Sequence, residues 1–332
     1  MLYSQAEIIK HHRELRGLTQ SQLAEGICSR FHIVKAEAGT RKLSDFVFRD
    51  VLVKLGLDPY NFNVGISAED EDTVFYRQVE SSLLNMTAET WLEESIKAKK
   101  EIVNYLNGLK TKPKEAKRWE LLLLRAEMSI LLPCYSNEFN PETDAPNLAK
   151  VREYAIRAIK LFRPDFEIEK IDSYFLTTRE YGFIANYALT FGYEGELSKE
   201  LEILKKLRAN FDKNHKNIYE NKALNSIYSA LLRNIGANYE LLGMWEECLQ
   251  HSIENMEIFQ KSNDITDYAV SLWNKAYSLM KLERIDEGKD CFKQLFMLLY
   301  GLGDRFLHFK ISDLKKKYED AFGSTIDIRE DW

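Results

Sequence analysis

Apolar residues recur every three to four positions along most of the chain, the spacing that places them on one face of an α-helix. Pro and Gly, the residues that most often interrupt helices, number only 6 and 15 in 332 residues. No Asn-Gly or Asp-Gly turn stands between two alternating apolar and polar runs, so the usual signal of a β-hairpin is missing. The pattern therefore predicts an all-α protein.

Short helical patterns occupy residues 1–66, which we interpret as a separate small domain. Five helices are predicted there, at 4–16, 19–26, 29–38, 44–56 and 58–63. Thr19 and Ser44 are suited to cap two of them, since a side-chain hydroxyl can accept an unpaired backbone N–H of the first turn. Gly17 and Gly39 stand where helices end in a left-handed residue.

An acidic segment, SAEDED at 67–72, is the predicted linker to a larger domain spanning 73–332. Longer amphipathic patterns fill that domain, and Pro141 and Pro146 are expected to fall between two of its helices. The predicted helices are 73–85, 88–108, 115–132, 147–162, 171–191, 195–211, 216–242, 244–261, 264–282, 284–300 and 303–322.

Part of the larger domain repeats with an offset of 40 residues, which aligns Asn234 with Asn274 and Leu242 with Leu282. A fainter copy at 183–197 is aligned by placing its Phe-Gly-Tyr step on Leu242-Gly243-Met244. Each unit reads as a helical hairpin that must stack on its neighbours to bury its apolar face. We expect an α-solenoid; an ordinary helical bundle is the alternative.

Composition narrows the possible functions. No window of ~18 uncharged apolar residues indicates a membrane span, and the first residues lack an apolar signal core, so we expect a cytoplasmic protein. The four scattered cysteines read as buried thiols rather than as metal ligands or a disulfide framework. Nucleotide-binding, hydrolase and zinc-protease motifs are absent from the sequence. We therefore expect neither an enzyme nor a metal or other cofactor.

The small domain carries nine Lys and Arg against seven Asp and Glu, a net charge of +2 on a chain whose total is −6. Leu18-Thr19-Gln20, Leu23-Ala24, Ile33, Glu37 and Gly39 have the spacing of two short helices joined by a tight turn. This pattern resembles the lambda/434-repressor-type helix-turn-helix, the Xre class. The resemblance implies a five-helix DNA-binding domain that acts as a dimer on two operator half-sites.

The same resemblance assigns roles to individual residues of this sequence. Gln20 would contact a phosphate or base, and Arg41 a phosphate. Arg30, Phe31 and Lys35 take the base-reading positions, although Phe31 packing on the domain surface and Lys35 touching phosphate is an equal alternative. A scaffolding ion pair is implied between Arg13 and Glu37. The residues that depart from the class pattern are Val34, Ala36 and Ala38, with His12 before them.

The helical repeats resemble tetratricopeptide repeats, and the two parts together resemble the Rgg/PlcR/PrgX group of peptide-responsive transcriptional regulators. That resemblance implies a homodimer whose repeats bind a short signalling peptide in a concave groove. The residues predicted to contact the peptide are Asn186, Arg233, Asn234, Trp273, Asn274 and Tyr277. An Asn there could instead only cap or bridge helices. The alternative function is a DNA-tethered scaffold that docks a partner protein and takes no small ligand.

Overall fold

The computed structural model describes residues 4–57, 90–109, 116–132, 141–215, 222–262 and 264–302, with a few further positions at 75–83 and 316–319. Every element in these ranges is an α-helix or a short 3₁₀-helix, which confirms the all-α prediction. The chain divides into two compact units, Met1–Ile227 and Tyr228–Trp332. The predicted helix at 58–63 and the predicted linker at 67–72 lie outside the described residues, so the domain boundary stays a prediction.

Four short helices form the N-terminal head, which we define as residues 4–57. They are α1 (Gln5–Leu15), α2 (Gln20–Ala24), α3 (Arg30–Glu37) and α4 (Asp45–Lys54).

Local sequence accounts for the bounds of these head helices. Thr19 accepts the Gln22 backbone N–H at 3.2 Å, and the Gln22 side chain accepts the Thr19 N–H at 2.8 Å, which caps α2 as predicted. Gly17 and Gly39 have φ of +64° and +69°, conformations that only glycine adopts without strain. Ser44 precedes α4 in an extended conformation but makes no side-chain capping hydrogen bond.

The head has its own hydrophobic core, built from the apolar faces of all four helices. Its buried members are Ile9, Leu23, Ala24, Ile27, Ile33, Ala36, Leu43, Phe48, Val51, Leu52 and Leu55. Most of these are positions at which the helical spacing predicts a core residue. Leu18 and Val47 are half-buried and pack against this core.

Longer helices make up the rest of the described chain. They are α5 (Trp91–Gly108), α6 (Ala116–Leu131), α7 (Pro141–Lys160), a 3₁₀-helix (Ile168–Ser173), α8 (Thr178–Tyr193), α9 (Leu197–Asn214), α10 (Lys222–Leu241), α11 (Trp245–Ser262), α12 (Ile265–Lys281) and α13 (Ile285–Leu302). Successive helices from α5 to α9 pack against each other in the first unit, as do α11, α12 and α13 in the second. Of these pairs, α8–α9 and α12–α13 are hairpins of the predicted kind.

Two of the predicted helix bounds are wrong. Neither Pro141 nor Pro146 falls between helices: Pro141 begins α7, where its missing N–H would have no partner, and Pro146 lies in the second turn, where one backbone hydrogen bond is lost. The helix predicted at 171–191 begins only at Thr178. Thr177 and Glu180 form a reciprocal capping box there, and this cap fixes the start of α8 after the separate 3₁₀ turn.

Left-handed residues end the first helix of three hairpins and set the register of the repeat. Gly195, Gly243 and Glu283 have φ of +84°, +67° and +61°. The sequence alignment of Gly192 with Gly243 is therefore wrong by three residues: Gly192 lies inside α8, where a Cβ would come 1.8 Å from the Glu200 carboxylate. In the corrected register, an asparagine stands nine residues before each left-handed residue: Asn186, Asn234 and Asn274.

Candidate functional site

In the head, a tight turn joins α2 to α3, and Ala24, 3% exposed, lies in the core where these two helices pack together. A shared ion pair fixes α3 to α1. Arg13 Nε and Nη2 donate to the two Glu37 carboxylate oxygens at 2.5 and 3.0 Å. Burial alone raises the pKa of Glu37, but the hydrogen bonds from Arg13 and Gln20 hold it below its usual value. This pair has the geometry of a scaffold contact.

Gln20 belongs to the same scaffold in this structure. Its side-chain amide donates to Glu37 Oε2 at 2.9 Å, and the residue is half-buried. Because this amide already donates to a carboxylate, it has fewer N–H groups available for a phosphate or base than an exposed amide has. The DNA contact of Gln20 stays a prediction.

The outward side of α3 carries the predicted base-reading residues. Arg30 is exposed and Phe31 is 57% exposed, an unusual position for a phenylalanine. Lys35 Nζ lies 4.3 Å from the centroid of the Phe31 ring, close enough for a cation–π contact. Arg41 is exposed just beyond α3. These four side chains give the head a cationic face with one exposed aromatic ring.

Of the residues that depart from the class pattern, three lie in or next to α3: Val34, Ala36 and Ala38. They divide between that face and the core of the head. Ala36 is 1% exposed and belongs to the head core, so its small size affects packing rather than contacts with a ligand. Val34 is half-buried and Ala38 is exposed at the end of α3. Only these last two can alter what the outward face recognises.

A half-buried carboxylate, 17% exposed, joins the head to the helices that follow it in the first unit. Asp50 of α4 accepts hydrogen bonds from Arg118 Nη1 of α6 at 2.9 Å and from Arg179 Nη1 of α8 at 3.1 Å. The Arg118 side chain is 1% exposed. Burial by itself raises the pKa of Asp50, but the two guanidinium groups outweigh it and keep this pKa below its ordinary value.

A second ionic contact lies at the turn between α2 and α3. Arg163 pairs with Glu25 of the head and donates from Nε to Glu180 Oε1 of α8 at 3.0 Å. Gly26 lies against this pair: its φ is +76°, and a Cβ there would come 2.8 Å from Glu180 Oε1. A side chain at position 26 would therefore push α8 away from the head.

Lys54 also belongs to this junction, and its charged side chain is almost completely buried. The side chain is 1% exposed, and its Nζ donates to the Glu25 backbone carbonyl at 2.5 Å. The same Nζ lies 5.3 Å from the centroid of the Phe175 ring. Burial lowers the pKa of Lys54 to about 8, because a low-polarity environment penalises the charged form.

Sequence reasoning missed this junction. The available signal was the spacing of Asp50 and Lys54 within α4. Residues four apart share one helix face, and two opposite charges stand there in an otherwise apolar run, DVLVK. Such a face indicates a polar partner elsewhere in the protein.

The three repeat asparagines occupy equivalent positions on α8, α10 and α12. Asn186 and Asn234 are half-buried, and Asn274 is 9% exposed. Within the described part of the chain, their side-chain amides have no hydrogen-bond partner. Gly236 permits the close approach of Asn274 Nδ2, which would be 3.0 Å from a Cβ at that position. Among the described residues, these three amides therefore make no helix cap and no bridge between helices.

The other residues predicted to contact a peptide differ in the exposed fraction of their side chains. Arg233, 42% exposed, donates to Asp267 Oδ1 at 2.5 Å, and Asp267 is 2% exposed. Tyr277 is half-buried, with its ring stacked on Trp273 at a centroid distance of 5.7 Å. Trp273 is 5% exposed within the core of the second unit, so little of its ring is open to a ligand.

The described helices include none that is both long enough and apolar enough to span a membrane. Groups of three or more His, Cys, Asp or Glu side chains able to hold a metal ion are likewise not found among the described residues.

No family model and no curated protein matches the chain. Among solved structures, it is similar to Bacillus thuringiensis PlcR in complex with the peptide PapR7 and DNA, with 16% identity and a TM-score of 0.48 over 97% of this chain and 99% of that one. It is also similar to ComR from S. thermophilus in complex with DNA and its signalling peptide ComS, with 13% identity and a TM-score of 0.40 over 96% and 98%.

A third similar structure is the Streptococcus dysgalactiae SHP pheromone receptor Rgg2, with 12% identity and a TM-score of 0.40 over 95% of this chain and 99% of that one. The group indicated by the sequence resemblance is thus represented among these structures.

Replacing the shared carboxylate of the junction tests its contribution to stability. Asp50→Asn removes the charge that pairs with the buried Arg118 and with Arg179, so we expect the free energy of unfolding at pH 7 to fall by about 3 kcal/mol. Because the folded-state pKa of Asp50 lies below its ordinary value, this contribution is present above about pH 4 and is lost as the pH falls further.

Urea titrations of both proteins at pH 7 and in acid would measure the difference. Glu202→Gln is the matched control, since Glu202 pairs only with exposed Lys206 on α9 and should change stability by no measurable amount. An equal effect of the two substitutions, or a difference that does not narrow in acid, would contradict the role of Asp50.

Proposed function

We propose that the chain is a sequence-specific DNA-binding transcriptional regulator, controlled by a short peptide that binds the repeats. The observation that carries the proposal is the outward face of α3, where Arg30 and Phe31 are exposed while the rest of the helix is packed or tied into the scaffold. A helix presented in this way on a compact head suits the major groove.

Each residue of the face has a chemistry that suits DNA. Arg30 can donate two hydrogen bonds to guanine O6 and N7, and the Phe31 ring can cover a thymine methyl group. The Lys35 contact with that ring restricts both side chains before DNA arrives. Arg41, beyond α3, can neutralise a phosphate and position the head on the duplex.

The weak charge of the head favours a homodimer over a monomer. A net charge of +2 supplies little of the non-specific attraction that phosphate contacts give. Two heads reading half-sites about 34 Å apart would add their binding energies. Since Asp50 and Arg163 hold the head against α6–α8, the spacing of two heads would depend on how the helical repeats of two chains pair. We therefore propose that the helical repeats control operator binding.

The repeat asparagines support peptide binding. An amide offers both a donor and an acceptor, so it can pair with the main chain of an extended peptide whatever its sequence. Asn186, Asn234 and Asn274 hold the same position in three hairpins, and their amides are unused by described residues. Tyr277 and the Arg233–Asp267 pair can then discriminate between peptide side chains.

Operator selection from a random DNA library, followed by fluorescence anisotropy, tests the DNA-binding half. We expect Arg30→Ala to weaken binding by about 1–3 kcal/mol and to relax specificity at one base pair. Arg41→Ala should weaken binding to all sequences and reduce the salt dependence by about one phosphate contact. Arg284→Ala, an exposed arginine of the second unit, should change nothing. Wild-type affinity and specificity in Arg30→Ala would contradict the base-reading role.

Peptides selected from a random library test the other half. Asn274→Ala should weaken every selected peptide by about tenfold, because it removes main-chain hydrogen bonds common to all of them. Tyr277→Ala should weaken only some peptides. Gln250→Ala, an exposed amide on α11, is the matched control. If no peptide is selected while a protein partner co-purifies and binds stoichiometrically, the scaffold alternative replaces the peptide.

A further inference from the structure

The packing of the head does not use the ring of Phe31. The side chain is 57% exposed, and it is the one aromatic residue among the exposed large apolar side chains of the described chain. The head core takes Ile33 and Ala36 from α3, on the inward side of the helix. A phenyl ring left in water forfeits the free energy that its burial would provide. The ring is thus available to a ligand that covers it.

Lys35 lies one helical turn beyond Phe31, on the same side of α3. Its Nζ is 4.3 Å from the centroid of the Phe31 ring. Among the described residues, no side chain accepts a hydrogen bond from this ammonium group, and no carboxylate lies within ion-pair distance of it. The two side chains therefore form one unit, the Phe31–Lys35 pair, in which N–H donors stand beside an aromatic surface.

The rest of the outward side of α3 offers no acceptor that could compete with a ligand of this pair. Val34, half-buried and three residues after Phe31, has no polar side-chain atom, and Arg30 can only donate. Glu37, the single carboxylate of α3, already accepts from Arg13 and Gln20. A base edge presented to the pair therefore meets donors and apolar surface.

Thymine is the one DNA base whose major-groove edge matches this combination. It carries the O4 acceptor and the C5 methyl group on neighbouring ring atoms. Guanine would accept from a lysine but has no methyl group for the ring to cover. Adenine and cytosine each present an amino group, for which the pair has no acceptor. The chemistry of the Phe31–Lys35 pair therefore selects thymine.

We propose that Phe31 and Lys35 read one thymine of each half-site together, the ring covering the C5 methyl group while the Lys35 ammonium donates to O4 of the same base. The inference rests on the proposed DNA-binding function and deepens it, because it names the base that this part of α3 recognises. The contact between the two side chains already holds the ammonium beside the ring, so less side-chain entropy is lost when DNA binds.

Uracil substitution in the selected operator tests recognition of the methyl group. Deoxyuridine lacks the C5 methyl group of thymidine but keeps O4 and the pairing with adenine. Thymines are replaced one at a time, and binding is measured by fluorescence anisotropy. At one thymine per half-site the wild type should bind about fourfold more weakly, the effect of one methyl group returned to water. Phe31→Ala should bind the thymine and uracil duplexes equally at that position.

Substitution with 4-thiothymidine, again at each thymine in turn, tests recognition of O4. This base keeps the methyl group and pairs with adenine, but its sulfur is a weak acceptor. At the uracil-sensitive position we expect the wild type to bind about fivefold more weakly. Lys35→Met, which keeps an unbranched chain but has no N–H group, should bind both duplexes equally there. Lys42→Met, at an exposed lysine beyond α3, is the matched control and should keep both preferences.

Each preference is a ratio of two affinities measured on one protein, so a general loss of affinity in a variant does not imitate loss of the preference. The proposal fails if no thymine is sensitive to loss of its methyl group, if the methyl and O4 effects fall on different thymines, or if Phe31→Ala and Lys35→Met retain them. These results would leave specific operator binding intact. Failure to select any operator would instead overturn the proposed DNA-binding function, and this inference with it.

Discussion

The carboxylate of Asp50, shared by Arg118 and Arg179, is the contact on which the arrangement of the first unit depends. Arg118 is nearly inaccessible to water, and a buried guanidinium is tolerated only when it is paired. The head therefore cannot separate from α6 and α8 without exposing or orphaning these charges. Arg163 repeats the arrangement at the α2–α3 turn, where Gly26 gives it room. These ion pairs therefore contribute to the orientation of the head.

This constraint explains how a weakly charged head could serve a regulatory protein. The junction uses α4 and the α2–α3 turn and leaves the outward side of α3 exposed. The proposed DNA-reading residues are therefore presented while the head remains tied to the helical repeats. A change in the repeats would then reach the head through rigid helices and ion pairs. A flexible linker would transmit such a change poorly.

The parts of the fold that local sequence determines were predictable. Apolar spacing gave the head core, and Thr19 and the two glycines gave the helix ends, because caps and periodicity depend on residues a few positions apart. Asp50 with Arg118 and Arg179 could not be predicted in this way, since 68 and 129 residues separate the partners. The three-residue error at Gly192 has a different origin: that glycine accommodates Glu200 of the next helix and is not a turn. Once the register is corrected, an asparagine stands at the same position of the first helix in all three hairpins.

Native-state hydrogen exchange of the wild-type protein tests the central claim, that the head and the helices it contacts form one cooperative body. Buried amides of α3 and α4 should exchange with the same opening free energy as those of α7 and α8, because a junction of buried ion pairs must break before either part unfolds. Exchange of α3 and α4 at a clearly lower free energy, independent of α7 and α8, would mean that the head opens on its own and would contradict the account.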